Sequence, residues 1–353
     1  MLHFAMMITP TYTPPFWLNN GLIMTLYTAL YAHKTWENTT TLPEPVYREQ
    51  IFTGANNVPI FGIVAIPENP IGTIIATYGI TGDLDNQWFL RLLGRKAYNL
   101  GYAVILFDWR AHGKTALLSP TLTSDGLYEG EDFVRIASQG KKIGCPAPFW
   151  FTSYSLGGQL ALWGIKISQD VNLCRELGLD SSEIAGGAVI CPTLESNLSL
   201  SYLVKHPTGK YLERAIAKNL KNLAYKIHDV HPNDIAPDAI ERANTIWGFD
   251  HELVINKLGF PSVESYYQAS SSLYILPSIQ KPTLIIYAED DPLFYPGLIP
   301  ELKKICQTNQ HLKLILTKHG GHVGYISSKY CQKQFNDPDI WWGWNRVLEE
   351  FNN

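Results

Sequence analysis

The run Phe149-Trp150-Phe151-Thr152-Ser153-Tyr154 has the apolar, aromatic character of a strand. It ends in Ser155-Leu156-Gly157-Gly158, where a helical period begins at once. A serine at such a turn is presented to the N-terminus of a helix, whose free N–H groups favour developing negative charge. That is the setting of a nucleophile in acyl chemistry, with the local signature G-x-S-x-G between strand and helix. The residues two before and two after the serine must be small, so that strand and helix can approach. Gly157 meets this demand fully, and Ser153 stands where the first glycine would be. Taken alone, Ser155 could equally end a strand or cap a helix. Ser153 lies two residues back in the strand, not at the turn.

A serine hydroxyl is a weak nucleophile at neutral pH and needs a base. After the strand-like run Leu312 to Thr317 the chain reads His319-Gly320-Gly321-His322-Val323-Gly324. A histidine in a glycine-bracketed loop at the end of a strand can reach over a sheet edge. His322 lies deeper in the loop than His319 and is the better candidate. The acid that would orient the imidazole belongs after the preceding strand, where Thr283 to Ala288 runs into Glu289-Asp290-Asp291-Pro292. One of these three carboxylates can hold the imidazole's tautomer and stabilise the imidazolium. The order Ser155, Asp291, His322 is the chain order of α/β-hydrolases. Counting inclusively from Ala288, Asp291 is the fourth residue and is taken as the acid, with Asp290 outside the triad. Tyr78-Gly79-Ile80-Thr81-Gly82 follows another strand, where glycines let the backbone come close to a substrate. The N–H groups of Ile80 and Leu156 are the candidate oxyanion donors.

These residues need a scaffold, and the pattern from residue 58 onward provides one. β-rich runs at Ile60 to Ile66, Thr73 to Tyr78, Ala103 to Asp108, Phe149 to Tyr154, Gly186 to Cys191, Thr283 to Ala288 and Leu312 to Thr317 alternate with helical periods. Such alternation predicts a mostly parallel sheet flanked by helices. Phe89, Leu92, Leu93, Ala97 and Leu100 recur at helical spacing, and a closing helix is expected from about Asp337. Residues 192–279 carry helical, polar-rich sequence and no convincing strand. A structureless loop of that length is implausible, so this stretch reads as a helical cap. The expected organisation is an N-terminal extension (1–57), a core (58–191 and 280–353) and the cap between the two core parts.

The chain has 353 residues, 46% of them apolar and 17% charged, with a net charge of −4. This is globular composition, unlike that of disordered chains or polytopic membrane proteins. Without a Lys/Arg cluster there is no electrostatic case for nucleic acid. Five scattered cysteines show no metal-ligand spacing and read as free thiols in a reducing compartment. Leu22 to Ala32 is apolar, but far shorter than the ~20 residues of a membrane span. Met1 to Asn20 contains no Lys or Arg, as a signal peptide would. A packed amphipathic segment is expected there, with contact to a membrane surface as the alternative. A cytoplasmic location is expected.

Together these motifs resemble the YheT-like branch of the α/β-hydrolases, related to the animal ABHD1/2/3 group. The resemblance runs through Pro15-Phe16-Trp17-Leu18-Asn19-Asn20-Gly21, Gly79-Ile80-Thr81-Gly82, Phe107-Asp108-Trp109-Arg110 and Ser155-Leu156-Gly157-Gly158. It continues in Phe249-Asp250, Gly259-Phe260, Tyr266-Tyr267, Asp290-Asp291-Pro292 and Gly320-Gly321-His322. It implies a Ser155, Asp291, His322 triad and hydrolysis of carboxylic esters. The family usually has His-Gly at Tyr78-Gly79 and Gly at Ser153, departures that bear on pocket shape. The expected protein is an α/β-hydrolase with a helical cap, acting on a small-molecule or lipid-like ester through an acyl-enzyme, without metal or organic cofactor. Acyl transfer to another acceptor is the nearest alternative, and a hydrolase-like binding protein the non-enzymatic one.

Overall fold

The computed structural model describes residues 11–353, so the first ten residues of the expected N-terminal extension lie outside the described residues. Eight strands form one sheet: β1 (Arg48–Thr53), β2 (Pro59–Ala65), β3 (Thr73–Ala76), β4 (Ala103–Phe107), β5 (Phe149–Tyr154), β6 (Ile184–Ile190), β7 (Thr283–Ala288) and β8 (Leu312–Thr317). Their order is β1-β2-β4-β3-β5-β6-β7-β8. β2 is antiparallel to both β1 and β4, and every other pairing is parallel. All residues of β3, β4 and β7 are buried. That follows from helices lying over the sheet, and explains why these strands are continuous apolar runs rather than alternating ones.

The helices that position the site are α1 (Gly21–Tyr27), α2 (Trp88–Asn99), α3 (Glu129–Lys142), α4 (Ser155–Ile167), α5 (Ser196–Leu203), α6 (Pro207–Val230), α7 (Val263–Ser270) and α8 (Trp342–Asn352). α4 starts directly where β5 ends, and buries Leu160, Ala161, Leu162 and Ile165 completely. Each such leucine or isoleucine contributes about 1.5–3 kcal/mol on leaving water. Gly164 is what lets α4 approach α3, since a Cβ there would lie 2.9 Å from Phe133 Cβ. Any larger residue at 164 would force the two helices apart.

Residues 192–279 carry helices and no strand. With Ala111, Ala116 and Leu122 they share an apolar cluster separate from the one around the sheet, built on Leu220, Ala224, Ile227, Phe249 and Tyr266. Two expectations need correction. The sheet begins earlier than its first predicted strand, because β1 pairs with β2 along its whole length. As an edge strand it buries only Phe52, so it shows no apolar run. The closing helix starts at Trp342, not near Asp337. Asp339 instead caps the turn by accepting from Trp341 N, and Ser327 N donates to the Ile340 carbonyl. The chain there is held to the preceding loop before it can coil.

Candidate active site

β5 delivers Ser155 at its end with φ +56°, in the left-handed region that non-glycine residues avoid. Strain of this kind costs on the order of 1–3 kcal/mol and persists only where packing enforces it. The enforcement is visible on both sides. A Cβ on Gly157 would stand 2.3 Å from both Ser153 Oγ and the Tyr78 carbonyl oxygen, and one on Gly79 3.0 Å from Ser155 Cβ. The turn is therefore closed by backbone that only glycine permits. Ser153 is fully buried and donates its hydroxyl to the Thr77 carbonyl at 2.6 Å. The departure from glycine is thus absorbed as a strand-to-strand hydrogen bond.

The three residues singled out for chemistry come together. His322 Nε2 lies 2.8 Å from Ser155 Oγ, and His322 Nδ1 lies 2.9 Å from Asp291 Oδ2. For Nε2 to accept from the serine, Nδ1 must carry the hydrogen and donate it to Asp291. Asp291 is buried and its other oxygen accepts from Leu293 N at 2.9 Å. Asp290 points elsewhere: it pairs with His319 Nδ1 at 3.1 Å and accepts from Gly321 N at 2.9 Å. The edge of Phe294 closes on the His322 ring, with centroids 5.1 Å apart.

The loop carrying Ile80 crosses directly over Ser155, as the Gly79 distance requires. Neither Ile80 N nor Leu156 N has a hydrogen-bond acceptor among the described residues, and both residues line the same cleft as Ser155. Two donors free at that place can receive charge forming on an oxygen bonded to the serine-attacked carbon.

Several supporting residues carried no signal of their role in sequence. His112 is fully buried, stacks on Trp109, donates from Nδ1 to the Arg110 carbonyl, and accepts from Thr81 N at 3.1 Å. Burial pushes its pKa down to about 4, so the ring is neutral and its acceptor nitrogen fixes the loop beside Ile80. Tyr78, in the place where the resemblance would put histidine, donates to Asp108, whose carboxylate also accepts from Leu84 N and Lys114 N. Burial raises Asp108 to about 6. Arg110 forks onto Asp132 at 2.7 and 2.8 Å and reaches the Ala55 carbonyl, tying this loop to the turn between β1 and β2. The motif Phe107 to Arg110 was legible, but not its function as the brace of the loop that carries Ile80.

The other unforeseen support comes from α1. His322 N donates to Thr25 Oγ1 at 2.8 Å, and that hydroxyl donates on to the Gly21 carbonyl at 2.7 Å. A Cβ on Gly21 would overlap the Asp290 carbonyl oxygen at 1.8 Å, and one on Gly321 would lie 2.5 Å from the Gly21 carbonyl oxygen. α1 is therefore wedged against both the acid loop and the histidine loop. The inward face of α1 and the turn that continues it is Gly21, Met24, Thr25 and Thr28, while Ile23 and Leu30 lie outside. The apolar run expected to pack thus buries threonines and exposes much of its aliphatic surface.

Above Ser155 a cleft encloses about 940 Å³, its open mouth included. Its walls come from α5 (Ser199, Leu200, Leu203), α6 (Ile216, Leu220, Leu223), the helical stretch 246–258 and the loop that carries Ile80. Among the described residues, no helix is long and apolar enough to cross a membrane, and the five cysteines are free.

Comparison with known proteins agrees with this architecture. Residues 82–329 match a family described as "Alpha/beta hydrolase family". The chain is 53% identical to a Synechocystis sp. protein named "Putative esterase slr0264", across 96% of this chain and 94% of that one. It is 22% identical to the human protein "Phospholipase ABHD3" over 90% of this chain and 74% of that one. With the Escherichia coli protein "Putative esterase YheT" it shares 27% identity over 53% of this chain and 52% of that one. Among solved structures, the Pyrococcus furiosus esterase Pf2001 superposes with a TM-score of 0.55 at 18% identity, covering 87% of this chain and 92% of that one. That last likeness bears on the fold alone. A mostly parallel eight-stranded sheet with this sequence kinship places the chain in the α/β-hydrolase family, in the branch that includes YheT and the ABHD proteins.

Proposed function

We propose that the protein is a serine hydrolase that cleaves carboxylic esters through an acyl-enzyme, with Ser155 as nucleophile, His322 as base and Asp291 as the acid that orients it. The observation that carries this reading is the unbroken relay Ser155 Oγ, His322 Nε2, His322 Nδ1, Asp291 Oδ2, with links of 2.8 and 2.9 Å. His322 takes the Ser155 proton as Oγ bonds to the ester carbon, and the oxyanion formed is met by the Ile80 and Leu156 N–H groups. The imidazolium then protonates the departing alkoxide as the C–O bond breaks, leaving an acyl group on Ser155. Water, losing a proton to His322, attacks that acyl group. Collapse of the second tetrahedral intermediate frees the carboxylic acid and returns the proton to Ser155.

The aliphatic walls from α5 and α6 suit a short- to medium-chain acyl group or a lipid-like ester, which they desolvate. The names borne by the Synechocystis and human relatives, an esterase and a phospholipase, are in keeping with ester substrates. The test is treatment with a fluorophosphonate followed by peptide mass spectrometry. The adduct is expected on Ser155, and Ser155→Ala should lose ester turnover by a factor on the order of 10⁶. An adduct on Ser153, or full turnover by the alanine variant, would sink the proposal.

A further inference from the structure

The cleft is aliphatic over most of its wall, yet two aspartates open into it. Asp250 lies in the helical stretch 246–258, at the point where the helix widens to a π turn over Asp250–Val254, a local form frequent at functional sites. Asp125 lies in the loop ahead of α3, and its carbonyl is held by Gln159 Nε2, one turn of α4 beyond Ser155. Both line the same cavity as Ser155, and each is only 6% exposed. Asp250 Oδ2 accepts from the Tyr267 hydroxyl, while Oδ1 has no hydrogen-bond partner among the described residues. Asp125 Oδ1 accepts from Thr123 Oγ1 at 3.2 Å. Ser199, also on the wall and 4% exposed, has a hydroxyl without any partner among the described residues.

Among the described residues no Lys or Arg lines the cavity, and His112 on its wall is neutral with its acceptor nitrogen already engaged. Two buried carboxyls without a counter-ion cannot both hold charge, so the pair retains a proton. Burial raises both groups, Asp250 further through Asp125 and Asp125 further through Glu129. A carboxyl that keeps its proton can donate a hydrogen bond as well as accept one. Such a pair, with a spare oxygen and an unpartnered serine hydroxyl lining the same cavity, matches an uncharged hydroxyl. It repels phosphate and carboxylate.

We infer that Asp125 and Asp250 form a hydroxyl-recognition subsite, so that the preferred substrate is an ester whose alcohol or acyl part carries a free, uncharged hydroxyl. This rests on the ester-hydrolase reading above and names the substrate class of the same cleft. A site built to bond a hydroxyl discriminates strongly against the analogue that lacks it, because its own polar groups are then left unpaired.

The experiment compares kcat/KM of the purified protein on esters matched in acyl length: monooctanoylglycerol, propyl octanoate, propyl ω-hydroxyoctanoate, the glycerophosphate ester of octanoate and choline octanoate. The hydroxyl-bearing glycerol or hydroxyacyl ester should exceed propyl octanoate by a factor on the order of ten to a hundred. Which of those two leads tells whether the hydroxyl belongs to the alcohol or the acyl part. Asp250→Leu should bring that ratio to within a few-fold of one. Asp250→Asn, which keeps a donor and an acceptor, should retain most of it. Labelling of Ser155 by a small fluorophosphonate, scored alongside, reports whether each variant is folded. Should the leucine variant not fold, loss of the ratio in Asp125→Leu with retention in Asp125→Asn stands in its place. Equal rates on propyl octanoate and the hydroxyl esters, or preference for the phosphate or choline ester, would overturn the inference while leaving the hydrolase reading intact. Absence of both turnover and labelling in the wild type would instead remove the hydrolase reading itself.

Discussion

Two histidine–carboxylate pairs stand side by side where β7 and β8 end, built from the same two loops and nearly the same residue numbers. In the outer one, His319 meets Asp290 at 3.1 Å with side chains 28% and 22% exposed; in the inner one, His322 meets Asp291 at 2.9 Å with side chains 10% and 2% exposed. The chemical types are identical, so the difference lies in the third partner. The far nitrogen of His322 faces Ser155, whereas Asp290 uses its second oxygen to hold Gly321 N. An exposed pair is screened by water and contributes little on its own. The inner pair is withdrawn from water, where each hydrogen bond is electrostatically stronger and geometry is held by packing. The outer pair is thus best understood as a clasp between two loops, and the inner pair as the one able to pass a proton.

The sharpest way to break this comparison is to remove each imidazole. His322→Ala should lower kcat for an ester by a factor on the order of 10⁶, as loss of a triad base does elsewhere, while His319→Ala should change it only a few-fold. Steady-state rates on one activated ester are enough, and equal losses would show that the clasp takes part in the chemistry. The carboxylates come next. Asp291→Asn should reduce kcat by about 10⁴, through the wrong imidazole tautomer. Asp290→Asn, which only loosens the loop, should reduce it by about tenfold or less, and the reverse ranking would put the acid one residue earlier.

A smaller effect is expected at Thr25, which touches neither carboxylate. Thr25→Val leaves the His322 amide without its acceptor, and should lower kcat about tenfold with KM little changed. Thr25→Ser should restore the rate, an outcome that lost packing alone would not produce. His112 sharpens the comparison from outside, as a histidine buried without any carboxylate partner. Its folded pKa of about 4 lies below the unfolded value of ~6.5, so the unfolded chain binds the proton first. Stability from this group is therefore full above the unfolded value and declines as pH falls from about 6.5 towards 4. Buried Asp108 and Asp132, raised to about 6, act in the opposite sense below pH 6, but do so in both proteins compared. Chemical denaturation at pH 7 and pH 4.5 should thus show wild type losing a few kcal/mol more than His112→Gln. Identical pH dependence would mean that the ring is not held neutral.

Much of this was legible because the relevant constraints are local. The strand–serine–helix run, the glycines around His322 and the small residues of the turn all lie within a few positions of the atoms they serve. The parallel strands were legible for the same reason, each being a short apolar run. What escaped was whatever is set by distant partners. Thr25 looked like one more residue of an apolar segment, and only folding shows that its hydroxyl faces inward and holds the His322 amide. α3 follows a stretch rich in serine and threonine, and its inward positions include Glu129 and Asp132, which periodicity of apolar residues does not reveal. Asp250 belongs to the motif Phe249-Asp250, but nothing near it in sequence suggests that it shares a cavity with Asp125.

The bond between Thr25 and His322 spans 297 positions of the chain. During synthesis, α1 leaves the ribosome well before the loop it must clamp, and all eight strands of the sheet lie between the two. Closing so long a stretch of chain costs entropy, so contacts this distant in sequence form late. The sheet can therefore assemble strand by strand while Ser155 still lacks its imidazole. The loop that carries His322 follows every strand of the sheet, so Ser155 stands without that imidazole until all eight strands have been made and α1 can dock on the loop.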